Sequence, residues 1–204
     1  MSPRLFDGWR SEWRMRRGLS AYVAALMSDP EPEDVAWLAV AAWDGDADRA
    51  AWELRYARRA LGLLVAQRDA LDDRTGSLVA RELASALQSD RNIASAMLKL
   101  SERQFNDRLS AYREVLTSRA PYEGTGARLG RALVQIAGAS RASDDLAGRA
   151  GDILARYVGE ANEALRKAFG APSLPDDRHT LPVRSVFRSR SPGRRDRFSC
   201  CKYP

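Results

Sequence analysis

Apolar positions recur along most of this chain at intervals of three and four residues, the spacing of one face of an α-helix. Leu5, Phe6, Trp9 and Trp13 share a face of a helix expected over 3–27, while Arg10, Arg14 and Arg17 share another. Ser28-Asp29-Pro30-Glu31-Pro32-Glu33 stops that helix and restarts the chain with an early proline and first-turn acids. A short helix follows to about Trp43. Asp44-Gly45-Asp46 is turn chemistry, with Asp46 or Asp48 as the N-cap of a long helix over 47–71. There Leu54, Leu61, Val65 and Arg68 lie on one stripe, widened by Ala50, Ala57 and Leu64. Asp72 to Ser77 reads as a break, and Val79, Leu83, Ala86 and Leu87 mark the inward face of a helix over 77–88. Ser89-Asp90 breaks again. Ile93, Met97 and Leu100 open a helix that Leu98, Phe105, Leu109, Tyr112 and Leu116 carry to about Ser118. After a turn at Ala120 to Gly124, Leu129, Leu133 and Ile136 mark a further helix. Gly138 to Ser143 interrupts, and Leu146, Ile153, Tyr157, Ala161, Leu165 and Phe169 mark the last helix.

No alternating run rich in β-branched residues occurs, so the pattern predicts an all-α bundle of six to seven helices over residues 1–170. Residues 171–204 lose the periodicity. They carry Pro172, Pro175, Pro182 and Pro192 and the run Arg188-Ser189-Arg190-Ser191-Pro192-Gly193-Arg194-Arg195, a composition expected of a disordered basic tail.

Charge sharpens this division. The formal net charge is +6, and all basic residues but Lys99, Lys167 and Lys202 are arginine. The first twenty residues carry +3 and residues 171–204 carry +5, which leaves residues 21–170 at −2. A partner attracted by positive charge would meet the ends of the chain. The opening residues contain no apolar h-region, so no secretory signal is expected. No apolar run reaches the ~20 residues of a membrane span.

Little in the sequence points to catalysis. Its one histidine, His179, lies in the tail without a rigid neighbourhood to fix its tautomer. Cys200 and Cys201 are adjacent near the C-terminus and cannot build a disulfide framework or a zinc site. Asp44, Asp46 and Asp48 alternate like the start of a calcium loop, but Arg49 stands where that loop needs glycine. Asp72-Asp73 and Asp144-Asp145 fit helix termini better than a magnesium motif. The glycines at 124, 126, 148 and 151 follow no strand and precede no Gly-Lys-Ser/Thr. A non-enzymatic protein without catalytic residues, metal or cofactor is therefore expected.

Two sets of residues remain as candidate contacts. Phe105, Arg108, Leu109 and Tyr112 lie along one helix. They are either core packing or a client-binding groove with Arg108 as a polar anchor at its rim. Phe6, Trp9, Arg10, Trp13, Arg14 and Arg17 form an aromatic and basic helix. It either packs onto the domain or contacts a membrane or partner.

The stretch Phe105-Asn106-Asp107-Arg108-Leu109-Ser110-Ala111-Tyr112 resembles the Phe-Tyr-Gly-Arg-Leu-x-x-Tyr-like helix of the ubiquinol-cytochrome c chaperone family. Phe105, Arg108, Leu109 and Tyr112 match it, while Asn106 and Asp107 replace the Tyr-Gly pair. Similar pieces follow in the same order over residues 4–168: Arg4-Leu5-Phe6, Leu19 to Met27, Trp52 to Leu64, Leu78 to Asp90, and Leu154-Ala155-Arg156-Tyr157-Val158. The chain departs from the family between Asp90 and Ile93, where the family's longer link with its glycines and methionine is missing. The resemblance implies a helical chaperone or assembly factor that binds a hydrophobic membrane-protein client, cytochrome b of the bc1 complex, during respiratory complex assembly. It also implies a cytoplasmic protein associated peripherally with the inner face of an energy-transducing membrane. The residues alone leave a second reading open, a general all-α interaction or scaffold module whose basic tail binds RNA or other phosphates. Neither reading involves a small-molecule substrate.

Overall fold

Two helix starts are capped by side chains. Asp46 accepts the amide of Arg49 at 3.0 Å and opens one helix, and Ser143 accepts the amide of Leu146 at 3.3 Å and opens another. Pro32 sits in a first turn with Glu33 and Asp34. Asp44 and Gly45 both take positive φ, 49° and 93°, and turn the chain between two helices. Gly170, at φ 91°, ends the last helix behind Arg166 and Lys167.

The computed structural model describes residues 3–70, 73–118, 123–138 and 143–170, with 3–11 as helix backbone. Among them are seven α-helices and no strand: α1 (Pro3–Leu26), α2 (Pro32–Ala42), α3 (Ala47–Asp69), α4 (Asp73–Gln88), α5 (Leu98–Thr117), α6 (Thr125–Ile136) and α7 (Asp144–Phe169). A 3-10 turn, Ser95–Met97, precedes α5. The all-α bundle expected from the periodicity is thus the observed fold. Residues 171–204, with His179, Cys200 and Cys201, lie outside the described residues, as do the turn positions 71–72, 119–122 and 139–142.

The hub is α3. It packs against α1, α2, α4, α5 and α7, and from Tyr56 to Ala66 only Arg58 escapes full burial. A helix buried on nearly every side needs small and apolar residues all round, which the run Ala60 to Ala66 supplies. Antiparallel to one another, α1 and α7 run together. Gly18 lies so close to Ala168 that an added Cβ would meet its carbonyl oxygen at 2.5 Å. Tyr22 packs edge-on to Phe169, with ring centroids 6.3 Å apart, and its hydroxyl donates to the carbonyl of Gly62 at 2.8 Å. Close approach also joins α6 and α7, where Gly126 and Gly130 face Ala147 and Gly151.

Three local expectations are corrected. Helix α4 starts at Asp73, not Ser77, because Thr75 is drawn into the interior and buried Gly76 packs beside Ala66 and Gln67. Ile93 is not helical. Asp90 turns inward to Arg59, so the chain makes a 3-10 turn before α5 begins at Leu98. Arg68 leaves the apolar stripe of α3. It is exposed and forks onto the Asp69 carboxylate at 2.6 and 2.8 Å.

Three core tyrosines give the fold a signature at high pH. Tyr22, Tyr112 and Tyr157 have almost no exposed surface, and burial pushes all three phenols up. Tyr157 reaches about 12, with the Arg58 guanidinium above its ring opposing the rise. A raised folded-state value means the unfolded chain binds fewer protons above its own value near 10. Their contribution is therefore complete below that pH and lost above it, at about 1.4 kcal/mol per pH unit for each phenol until the folded-state value is passed. Urea denaturation from about pH 9 to about pH 11.5 should show this fall, with phenolate absorbance from these residues appearing only on unfolding. Titration of all three near 10 in the native state would contradict the burial.

Candidate functional site

Side chains of α5 at 101, 104 and 108 are tethered to α3. The Tyr56 hydroxyl donates to Gln104 Oε1 at 3.2 Å and shares a 3.0 Å hydrogen bond with Ser101 Oγ. Arg108 forks onto the buried Glu53 carboxylate, with contacts of 2.7 to 3.2 Å. Desolvation opposes the Arg108 charge, but hydrogen bonding and attraction from Glu53 outweigh it, and the guanidinium is held above its ordinary value. One face of α5 is therefore committed to α3. Its neighbouring face, with Leu98, Glu102 and Phe105, is turned toward α4.

Between α4 and α5 the surface opens into a groove of about 350 Å³. Leu63 of α3 and Phe105 form its floor. Ala80, Leu83, Ala84 and Leu87 form the α4 wall, and Leu98 with the stem of Lys99 forms the α5 wall. Gln88, Ser95, Glu102 and Asn106 are exposed at the margin, and the one buried polar residue of the lining, Ser101, is bonded to Tyr56. Mostly apolar walls with a polar rim suit an apolar side chain or helix from a partner.

The 3-10 turn separates this groove from a second hollow of about 370 Å³, lined by Trp52, Tyr56, Ile93, Met97 and Leu100, with Arg49 beside them. Met97 is 49% exposed and Leu100 41%, so an apolar ridge stands between the two hollows. The ridge is fixed from below. Arg59, 2% exposed, pairs with Asp90 at 3.0 Å, and Asp90 also accepts the amide of Asn92 at 3.0 Å. Two more Arg59 nitrogens, Nε and Nη1, are buried without partners. Burial pulls the Arg59 guanidinium below its ordinary value, and Asp90 pulls it part of the way back.

The two sequence-derived contact sets fare differently. Of the first, Phe105 reaches the α4–α5 groove. Arg108 faces α3 and Glu53, so it is no rim anchor for that groove. Tyr112 is sealed in the core with its hydroxyl unpartnered, and Leu109 is partly buried against the core. The structure thus divides these four residues between groove floor and interior packing. Of the second set, Trp13, Arg14 and Arg17 line the margin between α1 and α7, with Trp13 52% exposed and Arg17 stacked 5.4 Å over its ring. Phe6, Trp9 and Arg10 belong to α1, but their side chains lie outside the described residues.

Glu53, Arg59 and Asp90 were not anticipated. Their signal lay in position: Glu53 and Arg59 stand beside Trp52 and Tyr56 among the buried residues of α3. Asp44, Asp46, Asp144 and Asp145 stand at helix termini, and among the described residues no three His, Cys, Asp or Glu side chains gather as metal ligands would. Among the described residues no helix is long and apolar enough to cross a membrane. Comparison of the chain with family models, with characterised proteins and with solved structures gives no match.

Proposed function

We propose that this chain is a non-enzymatic helical assembly factor that holds an apolar segment of a membrane-protein client in the groove between α4 and α5. The apolar groove itself carries the reading: Leu63 and Phe105 form its floor, and the exposed Met97–Leu100 ridge adjoins it. A membrane protein before assembly exposes apolar helices in water, and burying each large side chain of such a helix is worth about 1.5–3 kcal/mol. The Phe105, Arg108, Leu109 and Tyr112 pattern supports cytochrome b as the client. In this reading Phe105 meets the client, while Arg108 and Tyr112 set the position of α5.

Affinity capture from gently solubilised native membranes tests this reading. Cytochrome b or other bc1 subunits should accompany the wild-type chain above a mock capture. Ala84 is exposed on the groove wall, so Ala84→Arg should fill the groove and abolish the capture without altering the helical circular dichroism. Recovery of soluble proteins or RNA alone, or full capture by Ala84→Arg, would refute the proposal.

A further inference from the structure

Helices α1 and α7 run antiparallel, and Gly18 lies against Ala168, one residue before α7 ends. Beyond Gly18, Leu19, Tyr22, Val23 and Leu26 are buried. Before it, Trp13, Arg14, Arg16 and Arg17 are exposed, because α7 stops and covers this length of α1 no further. Lys167 adds a cation from α7 beside Trp13, Arg14 and Arg17. Of these exposed arginines, Arg16 pairs with the exposed Glu12 at 2.8 Å.

We infer that this end of the bundle is a docking surface for an anionic lipid bilayer, with Trp13 entering the headgroup layer and Arg14 and Arg17 reaching lipid phosphates. Two observations select a bilayer. A half-exposed tryptophan under an arginine has an apolar body and a cationic tip, the combination favoured at the membrane interface. A second copy of the chain would oppose arginine to arginine on this surface, since only Asp7 and Glu12 are acidic among the first twenty residues. Two acids border the margin between α1 and α7. Glu160 is paired with Arg58 and Arg156, and Glu163 lies farther along α7 from Trp13 than Lys167 does. This surface is separate from the α4–α5 groove and does not depend on the client reading.

Flotation of the full chain with vesicles is the test. Vesicles of phosphatidylcholine mixed with phosphatidylglycerol should carry the chain, and phosphatidylcholine alone should not. Added salt should weaken the binding. Each arginine near an anionic surface strengthens binding roughly fivefold, so Arg14→Ser with Arg17→Ser should weaken it roughly 25-fold. Trp13→Ser should weaken it separately and leave the salt dependence in place. All three side chains are exposed, and unchanged circular dichroism shows that each variant folds. Equal flotation with both vesicle types, full flotation of the Arg14→Ser/Arg17→Ser variant, or displacement from anionic vesicles by single-stranded RNA at equal phosphate would overturn the inference.

Discussion

Asp90→Ala is expected to lower the unfolding free energy by about 3–5 kcal/mol, more than any surface charge removed from this protein. The substitution leaves Arg59 charged and 2% exposed, with the carboxylate gone and two nitrogens already unpartnered. The Trp52 ring, 5.9 Å from the guanidinium carbon, offers a weak substitute. Urea denaturation of the wild type, Asp90→Ala and the double variant Arg59→Met/Asp90→Leu would separate the pair from its desolvation. The double variant should recover most of the loss, because an apolar pair of similar volume needs no compensation for buried charge. Asp69→Ala removes an exposed pair with Arg68 and should cost no more than about 1 kcal/mol. If Asp90→Ala costs no more than Asp69→Ala, Arg59 is solvated and the buried pair is not a support. Asp90 also holds the amide of Asn92, so the same variant should speed hydrogen exchange at 91–97, the segment between the two apolar hollows.

That pair also shows where reading the sequence stops. Helix type and approximate extent were legible because burial on one face imposes a 3.6-residue period, and Asp46 and Ser143 cap by local chemistry alone. The start of α5 was not. Ile93, Met97 and Leu100 have helical spacing, but a long-range attraction between Asp90 and Arg59 redirects the backbone before Leu98. The start of α4 was hidden for a related reason. Thr75 and Gly76 are turn-forming residues in isolation, and their helical state depends on packing against the end of α3. Phe105 was legible as a candidate contact from its stripe. The rest of the groove was not, since its walls come from α4 and α5 and its floor partly from Leu63, and periodicity does not say which helices become neighbours. Arg108 shares Phe105's helix but turns to Glu53, and Tyr112 lies two turns farther along the same stripe, inside the core; only the packing of α3 separates their roles.

Gly130→Ala should reverse the usual sign of a glycine-to-alanine change inside a helix. At Gly148 and Gly159 of α7 an added Cβ meets nothing, and alanine should stabilise by about 0.5–1 kcal/mol through backbone entropy and helix propensity. At Gly130 the new Cβ would overlap the carbonyl oxygen of Ala147 and the amide nitrogen of Gly151, both backbone atoms of α7. A backbone contact cannot be relieved by rotating a side chain, so α6 must move away from α7 and take Leu129, Leu133 and Val134 with it. A net loss of about 1–3 kcal/mol is expected, at roughly 2–4 °C of melting temperature per kcal/mol. Gly151→Ala presses on Gly126 O at 2.5 Å from the other side of the same contact and should cost a similar amount. Together the two should cost less than their sum, because a separation that admits one methyl partly admits the second. Thermal melts of Gly130→Ala, Gly151→Ala, the double variant and the Gly148→Ala and Gly159→Ala controls decide the matter. A stabilised Gly130→Ala would show that α6 and α7 lie farther apart. Neither α6 nor α7 lines the α4–α5 groove, so folded Gly130→Ala should capture client as well as wild type, while Ala84→Arg leaves stability intact and abolishes capture. Opposite outcomes in the two assays would separate the residues that maintain the bundle from those that give it a partner.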